Sequence, residues 1–279
     1  MSIEIKGVII GEGKPKVCVP IVESHDEAIL NKLKEFNELE VDMIELRIDF
    51  YENIHQEDAL RNLFLNIAAL QIQKPVILTI RTAAEGGEVE IDPKDYFNVY
   101  KLAVEANAFD IYDVELALGT NMAIELRTLI HDAGKYMLMS SHNFDRTPEV
   151  DSLMQKFRSM DSLEADIMKV AVMPEDYQDL LNLLSFTVQA KHEYAQKPIV
   201  TMSMSSIGLT SRLVGEQFGS AITFATVGKA SAPGQIDYQE LNQMLDIIHK
   251  NIQEAWASWF FIHIIKWWDY ENWCKNFRK

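Results

Sequence analysis

The sequence predicts a (β/α)8 barrel. Eight short runs rich in β-branched and apolar residues recur along the chain, at 16–20, 41–46, 76–80, 111–115, 136–141, 166–170, 199–202 and 221–224. Helix-like sequence separates them, and the whole alternation occupies about 210 residues, which suits a closed barrel better than an open doubly wound sheet. In chain order, residues 2–11 alternate and end at Gly11, so a small hairpin is expected to plug one barrel mouth. Helical apolar spacing follows at 24–39, 93–106, 121–133, 148–160, 175–192 and 211–218. Ser24 and Glu27 stand three apart, the spacing of a capping box at the first of these helices. Leu241, Met244, Leu245 and Ile248 give a closing helix its buried face. The barrel domain is expected to fill residues 1–254.

Residues 255–279 differ in composition and read as a separate, helical, tryptophan-rich C-terminal extension. All five tryptophans fall there, and its four basic and two acidic residues leave −18 of the net charge of −16 to the rest of the chain. Trp256, Trp259, Phe260, His263, Ile264, Trp267 and Trp268 follow helical spacing, while Phe261, Ile262 and Ile265 widen the apolar face. Packing on the barrel or a second subunit, an interfacial membrane helix, and an appended element all fit that pattern.

Composition narrows the function. A chain of 279 residues that is 48% hydrophobic buries a large core, and a net charge of −16 argues against nucleic acid as the main partner. A small anion remains compatible if a few arginines converge. Two cysteines, Cys18 and Cys274, lack metal or CxxC spacing, and no signal sequence or membrane span is evident, so a cytoplasmic protein is expected.

Barrel chemistry sits at the C-terminal ends of the strands. There the sequence offers Glu45, Arg47 and Asp49, then Arg81 with Glu85, Gly86 and Gly87, then Asp113 and Glu115, His142, Lys169, Arg212, and a loop with Ser231, Pro233, Gly234 and Gln235. Lys169 lies in a buried run. A free lysine has a pKa of ~10.4, so burial and neighbouring cations are the means of exposing its neutral, nucleophilic form. His142 stands one strand earlier, with Glu85 as the natural carboxylate to fix its tautomer. Taken singly, Glu45 with Arg47 also fits a rim salt bridge, Glu85 a solvated loop carboxylate, and His142 a structural histidine. Three arginines at three strand ends point to an anionic ligand. Met202 and Met204 read as packing against ligand or core.

These residues together resemble the type I 3-dehydroquinate dehydratases, Schiff-base barrel enzymes of the shikimate pathway. The resemblance spans about residues 14–252 and rests on Glu45, Arg47 and Asp49, on Arg81 with Glu85, on Asp113 with Glu115, on His142, on Lys169 within its strand, on Met202 and Met204 with Arg212, and on Ser231 to Gln235. It implies dehydration of 3-dehydroquinate to 3-dehydroshikimate through a lysine imine: Lys169 attacks the ketone, and His142, held by Glu85, takes the acidified proton and passes it to the leaving hydroxyl. It further implies that Glu45, Arg47 and Arg81 meet the ring hydroxyls and that Arg212, Ser231 and Gln235 meet the carboxylate. No metal or organic cofactor is implied, and a homodimer is. The tail lies outside the family pattern. A class I aldolase uses a similar lysine, but aldolases of sugar phosphates need a glycine-rich phosphate cup that Ser231 to Gln235 does not supply. A scaffold barrel would be favoured by loss of Lys169 or His142, and both are present.

Overall fold

The computed structural model describes residues 2–228 and 231–255. Eight parallel strands follow the chain around one sheet: β3 (Lys16–Ile21), β4 (Met43–Arg47), β5 (Val76–Thr79), β6 (Ile111–Glu115), β7 (Tyr136–Asn143), β8 (Ile167–Val172), β9 (Ile199–Ser203) and β10 (Ile222–Phe224). β10 pairs with β3. A bridge between Ile199 and Ser220, with the Ala221 N–H donating to the Ile199 carbonyl at 2.7 Å, joins the remaining edges and closes the barrel. Closure leaves no exposed sheet edge.

The N-terminal hairpin is present as β1 (Ile3–Ile5) and β2 (Val8–Ile10), paired antiparallel. Ile5 and Ile10 are buried in one apolar cluster with Cys18, Met43, Ile77, Ile111, Leu138 and Ile167. These are the first inward residues of their strands, so the hairpin covers the barrel floor. Lys6, at the hairpin turn, reaches Asp110 at 2.8 Å and the Lys74 carbonyl at 3.2 Å.

Period two along each strand then sorts the interior by height. The sequence steps from Met43 to Glu45 to Arg47, from Ile77 to Thr79 to Arg81, from Ile111 to Asp113 to Glu115, from Leu138 to Ser140 to His142, and from Ile167 to Lys169 to Ala171. Apolar side chains make the floor; above it the inward positions of β4 to β7 are polar, while Ala171, Met202 and Phe224 keep the opposite wall apolar. The outward residues, such as Ile44, Leu78, Tyr112 and Val170, join the larger core beneath the helices.

The floor also has a polar fastening. Asp42, Asp110 and Asp166 stand one residue before β4, β6 and β8, and their carboxylates accept from the N–H groups of Val17, Val76 and Met137 at 2.7, 2.9 and 2.7 Å. Ser220, just before β10, accepts likewise from Thr201 at 3.0 Å. Each satisfies a buried backbone donor and holds the stagger between neighbouring strands.

The helices match the expected places with three differences. α1 (Asp26–Asn37) is capped by the His25 backbone without a side-chain bond, so the capping box at Ser24 is not formed. The Ser24 carbonyl instead accepts from Glu52, and Asp26 accepts from the Tyr51 hydroxyl at 2.5 Å. α2 (Glu57–Ala69) was not among the expected stretches, although Leu60, Leu63, Phe64 and Ile67 give it a buried face. α3 (Pro93–Glu105), α4 (Thr120–Asp132), α5 (Val150–Ser162) and α6 (Tyr177–Glu193) lie within two residues of expectation. The stretch expected at 211–218 is broken into α7 (Leu209–Leu213) and α8 (Gly215–Phe218). A side chain at Gly215 would press on Pro15 and on the Ser220 carbonyl, so the chain turns there against the barrel. Residues 238–255 form the closing helix, with Leu241 and Leu245 buried and Ile248 half-buried, whereas Met244, expected on the same face, is exposed. That helix includes Ala255, and the reading of residues 256–279 as an extension lies outside the described residues.

Candidate active site

Inward positions at the C-terminal end of the barrel enclose a cavity of about 500 Å³, counting its open mouth. Glu45, Arg47, Arg81, His142, Lys169, Ser231 and Gln235 line it. Glu85 and Arg212 stand directly behind its wall, the first against His142 and the second against Met202 and Phe224. The structure therefore gathers all nine expected residues: Glu45 and Arg47 from β4, His142 from β7, Lys169 from β8, Arg212 from α7, and Arg81, Glu85, Ser231 and Gln235 from the segments that follow β5 and β10.

Lys169 is 4% exposed. Its Nζ lies 3.2 Å from Asp113 Oδ2, 3.8 Å from Glu45 Oε1 and 4.5 Å from the centre of the Phe224 ring. The cations expected around the amine are thus interleaved with carboxylates. Asp113 is shared: the same Oδ2 accepts from Arg81 Nη2 at 2.8 Å, and Oδ1 accepts from the Ser140 hydroxyl at 2.5 Å. Burial opposes a charge on Asp113, but Arg81 and then Lys169 outweigh it and hold its carboxyl below the ordinary range.

Arg81 is the hub of this network. Its Nη1 donates to Glu115 at 2.7 Å and to Ser140 at 3.0 Å, and lies 3.5 Å from Glu85. Burial opposes its charge too, yet Asp113, Glu115, Glu85 and Glu45 together raise its pKa. Much of its fork is therefore committed to protein. Arg47 pairs with Asp49 through Nε at 2.8 Å and Nη2 at 2.7 Å, so its partner is Asp49 and not Glu45. Glu45 accepts from Thr79 at 2.8 Å.

His142 Nδ1 lies 2.9 Å from Glu85 Oε2, and the His142 N–H donates to the same oxygen at 3.0 Å. That arrangement fixes the ring and leaves Nε2 for chemistry. Burial, followed by Arg81, Lys169 and Arg47, drives the imidazole pKa well below its usual value, which favours the neutral ring. Burial pushes Glu85 up to about 8, with Arg81 pulling the other way. The loop carrying Glu85 depends on its glycines. Gly86 has φ +79° beneath the Phe144 ring, and a Cβ on Gly87 would collide with the Arg81 carbonyl. The Asp49 carboxylate accepts from Glu88 N–H at 3.3 Å, which ties the same loop to Arg47.

Arg212 is different. It is 2% exposed, and its bonds go to the carbonyls of Pro233 at 3.1 Å and Phe224 at 3.4 Å, with Met202 Sδ at 3.8 Å. Its Nε has no hydrogen-bond partner, and no carboxylate faces it among the described residues. Burial pushes its pKa down to about 10. A buried cation with an unpaired donor has the chemistry to take an anion. Ser231 and Gln235 close the loop above: Ser231 N–H donates to Gln235 Oε1 at 2.9 Å, and Gln235 Nε2 to Ser231 Oγ at 3.1 Å. Gly234 has φ +75° and sits against the Ser205 carbonyl.

Three contributors were not assigned roles from the sequence. Asp113 was visible only as part of a motif, while Phe144 and Phe224 line the cavity. Phe224 was accessible in principle, being two residues beyond the inward Ile222 on β10. Among the described residues, no cluster of three or more His, Cys, Asp or Glu is arranged for a metal ion, and no helix is long and apolar enough to cross a membrane.

The family model for type I 3-dehydroquinase matches residues 17–252. The chain is 41% identical over 247 residues to the 3-dehydroquinate dehydratase of Bacillus subtilis (strain 168), covering 88% of this chain and 97% of that one. It superposes with a TM-score of 0.86 on the type I 3-dehydroquinate dehydratase of Clostridium difficile, solved with covalently modified comenic acid, at 37% identity and covering 90% and 99% of the two chains. The Enterococcus faecalis 3-dehydroquinate dehydratase gives a TM-score of 0.81 at 38% identity over 88% of this chain and 98% of that one. The chain belongs to the type I 3-dehydroquinase family.

Proposed function

We propose that this hydro-lyase dehydrates 3-dehydroquinate to 3-dehydroshikimate, in the shikimate pathway, through an imine on Lys169. The observation that supports it most is the amine of Lys169 held in the cavity that His142 lines, with the His142 ring set by Glu85. The substrate is an anion with a ketone and ring hydroxyls, and each part has a counterpart. Arg212, buried and unpaired at Nε, suits the carboxylate, with Ser231 and Gln235 as neutral donors beside it. Glu45, Arg47 and the uncommitted part of the Arg81 fork suit the hydroxyls.

Lys169 adds to the ketone carbon, and loss of water leaves a C=N bond whose positive charge acidifies the neighbouring C–H. His142, neutral in this setting, takes that proton and gives an enamine. The same proton then goes to the departing hydroxyl as the double bond forms, and hydrolysis of the imine frees the product. Within this scheme the reaction needs no metal or organic cofactor, because the iminium nitrogen is the electron sink. A homodimer and a cytoplasmic setting accompany the reading as properties of the family.

Purified protein should convert 3-dehydroquinate to a conjugated enone absorbing in the ultraviolet. Absence of turnover by folded protein would reject the substrate, and a sugar-phosphate aldol assay would then test the other lysine chemistry. His142→Ala should still form the imine and lose at least about 100-fold in elimination rate. Near-normal elimination by that variant would remove His142 as the base.

A further inference from the structure

Asp113 is 0% exposed and lies outside the cavity lining, yet it is within hydrogen-bond distance of the reacting nitrogen. Around the Lys169 Nζ, Asp113 stands at hydrogen-bond distance, 3.2 Å, with Glu45 at 3.8 Å and the centre of the Phe224 ring at 4.5 Å. A protonated imine (iminium) formed there keeps only one N–H, in the plane of the C=N bond. Glu45 and Phe224 face the cavity, where the substrate carbon must lie, whereas Asp113 sits behind the amine. We propose that Asp113 accepts the single N–H of the Lys169 iminium, and so fixes how the C=N bond lies across the cavity and which hydrogen of the adjacent carbon faces His142. This rests on the imine reading above.

The site is built for a fixed acceptor. Ser140 holds one oxygen at 2.5 Å and Arg81 holds the other at 2.8 Å, while Tyr100 donates to the Asp113 carbonyl from behind β6. Both oxygens are thus tied to neighbouring side chains. Asp113 is then a positioning group that touches the reacting nitrogen, with no proton to move: the carboxylate accepts one hydrogen bond before and after the C–N bond forms.

The test compares wild type with Asp113→Asn and Ser140→Ala, using 3-dehydroquinate deuterated at one of the two hydrogens beside the ketone. Wild type should give a borohydride-reducible adduct on Lys169 and remove hydrogen from one face only. Asp113→Asn should still give the adduct at equilibrium, eliminate at least 100-fold more slowly, and yield product with mixed retention of the label, with KM changed less than about threefold. Ser140→Ala, which keeps the carboxylate but releases one oxygen, should show about a tenfold loss and a partial loss of selectivity. It supplies the test if the Asn variant does not fold. Wild-type rate and selectivity in Ser140→Ala together with Asp113→Asn would overturn the proposal, and so would a folded Asp113→Asn that forms no adduct, since Asp113 would then act before the imine. Failure of wild type to form an adduct would instead reject the imine reading itself.

Discussion

At the scale of residues, the site is a set of buried charges whose costs are offset by one another. Breaking one leaves its partners exposed to that cost, typically 3–5 kcal/mol for a buried pair. Arg81→Ala should therefore lower the melting temperature by many degrees as well as activity, because Asp113 and Glu115 lose their shared cation. A merely modest shift in a thermal scan would show that the network is locally solvated. Glu85 gives a pH signature. Its carboxyl is raised to about 8 in the folded protein, so the protonated form is favoured by folding. That contribution is present below the ordinary carboxylate range and is lost as pH rises toward about 8. Glu85→Gln should therefore gain stability relative to the parent as pH increases from ~5 to ~8, by on the order of 1.4 kcal/mol per unit before coupling with His142 is counted. Denaturant curves at both pH values check this, and a difference that shrinks with pH would reverse the sign. The nine site residues were legible because each closes an apolar strand or sits just beyond one. Asp113 received no role because only the register shows it lying under the Lys169 amine, on a strand two away from β8. Arg81 and Arg212 look equivalent in sequence. The carboxylates around Arg81 come from its own loop, Glu85, and from the next strand, β6, which supplies Asp113 and Glu115, and none of these pairs with Arg212.

At the scale of elements, short loops position the chemistry and glycines make the loops possible. Gly87→Ala would drive a methyl group into the Arg81 carbonyl and move the turn that presents Glu85. The expected outcome is at least a tenfold fall in kcat/KM with a folded barrel, read by steady-state kinetics and circular dichroism. Unchanged kinetics would show that the loop adapts. The hairpin tests the floor of the barrel. Ile10 is fully buried among the lowest inward residues, so Ile10→Ala should cost about 2–5 kcal/mol in urea unfolding while sparing the site above. The strands were readable from apolar runs and the hairpin from alternation. The failed capping box shows the limit of a local motif. Ser24 has the right spacing to Glu27, but its carbonyl is drawn to Glu52 and the helix begins at Asp26. The break between α7 and α8 was likewise invisible, because it is set by Pro15 and Ser220 pressing on Gly215.

At the scale of the whole molecule, one closed sheet separates a floor that stabilises from a mouth that reacts. The family match ends at residue 252, and the relatives named above are spanned almost completely by the barrel. A chain ending at residue 255 should accordingly keep kcat and KM within about twofold, measured beside the full chain. Loss of folding would place the remaining residues within the cooperative unit. The barrel was legible as a whole because its elements repeat, whereas the lining of the cavity depends on closure, which brings β10 beside β3. The central claim is the imine on Lys169. Borohydride reduction of the protein with 3-dehydroquinate, followed by intact and peptide mass spectrometry, tests it most directly. One ligand-derived mass increment per chain is expected, located on Lys169 and absent from Lys169→Ala. Turnover by folded protein with no increment at Lys169 would contradict it.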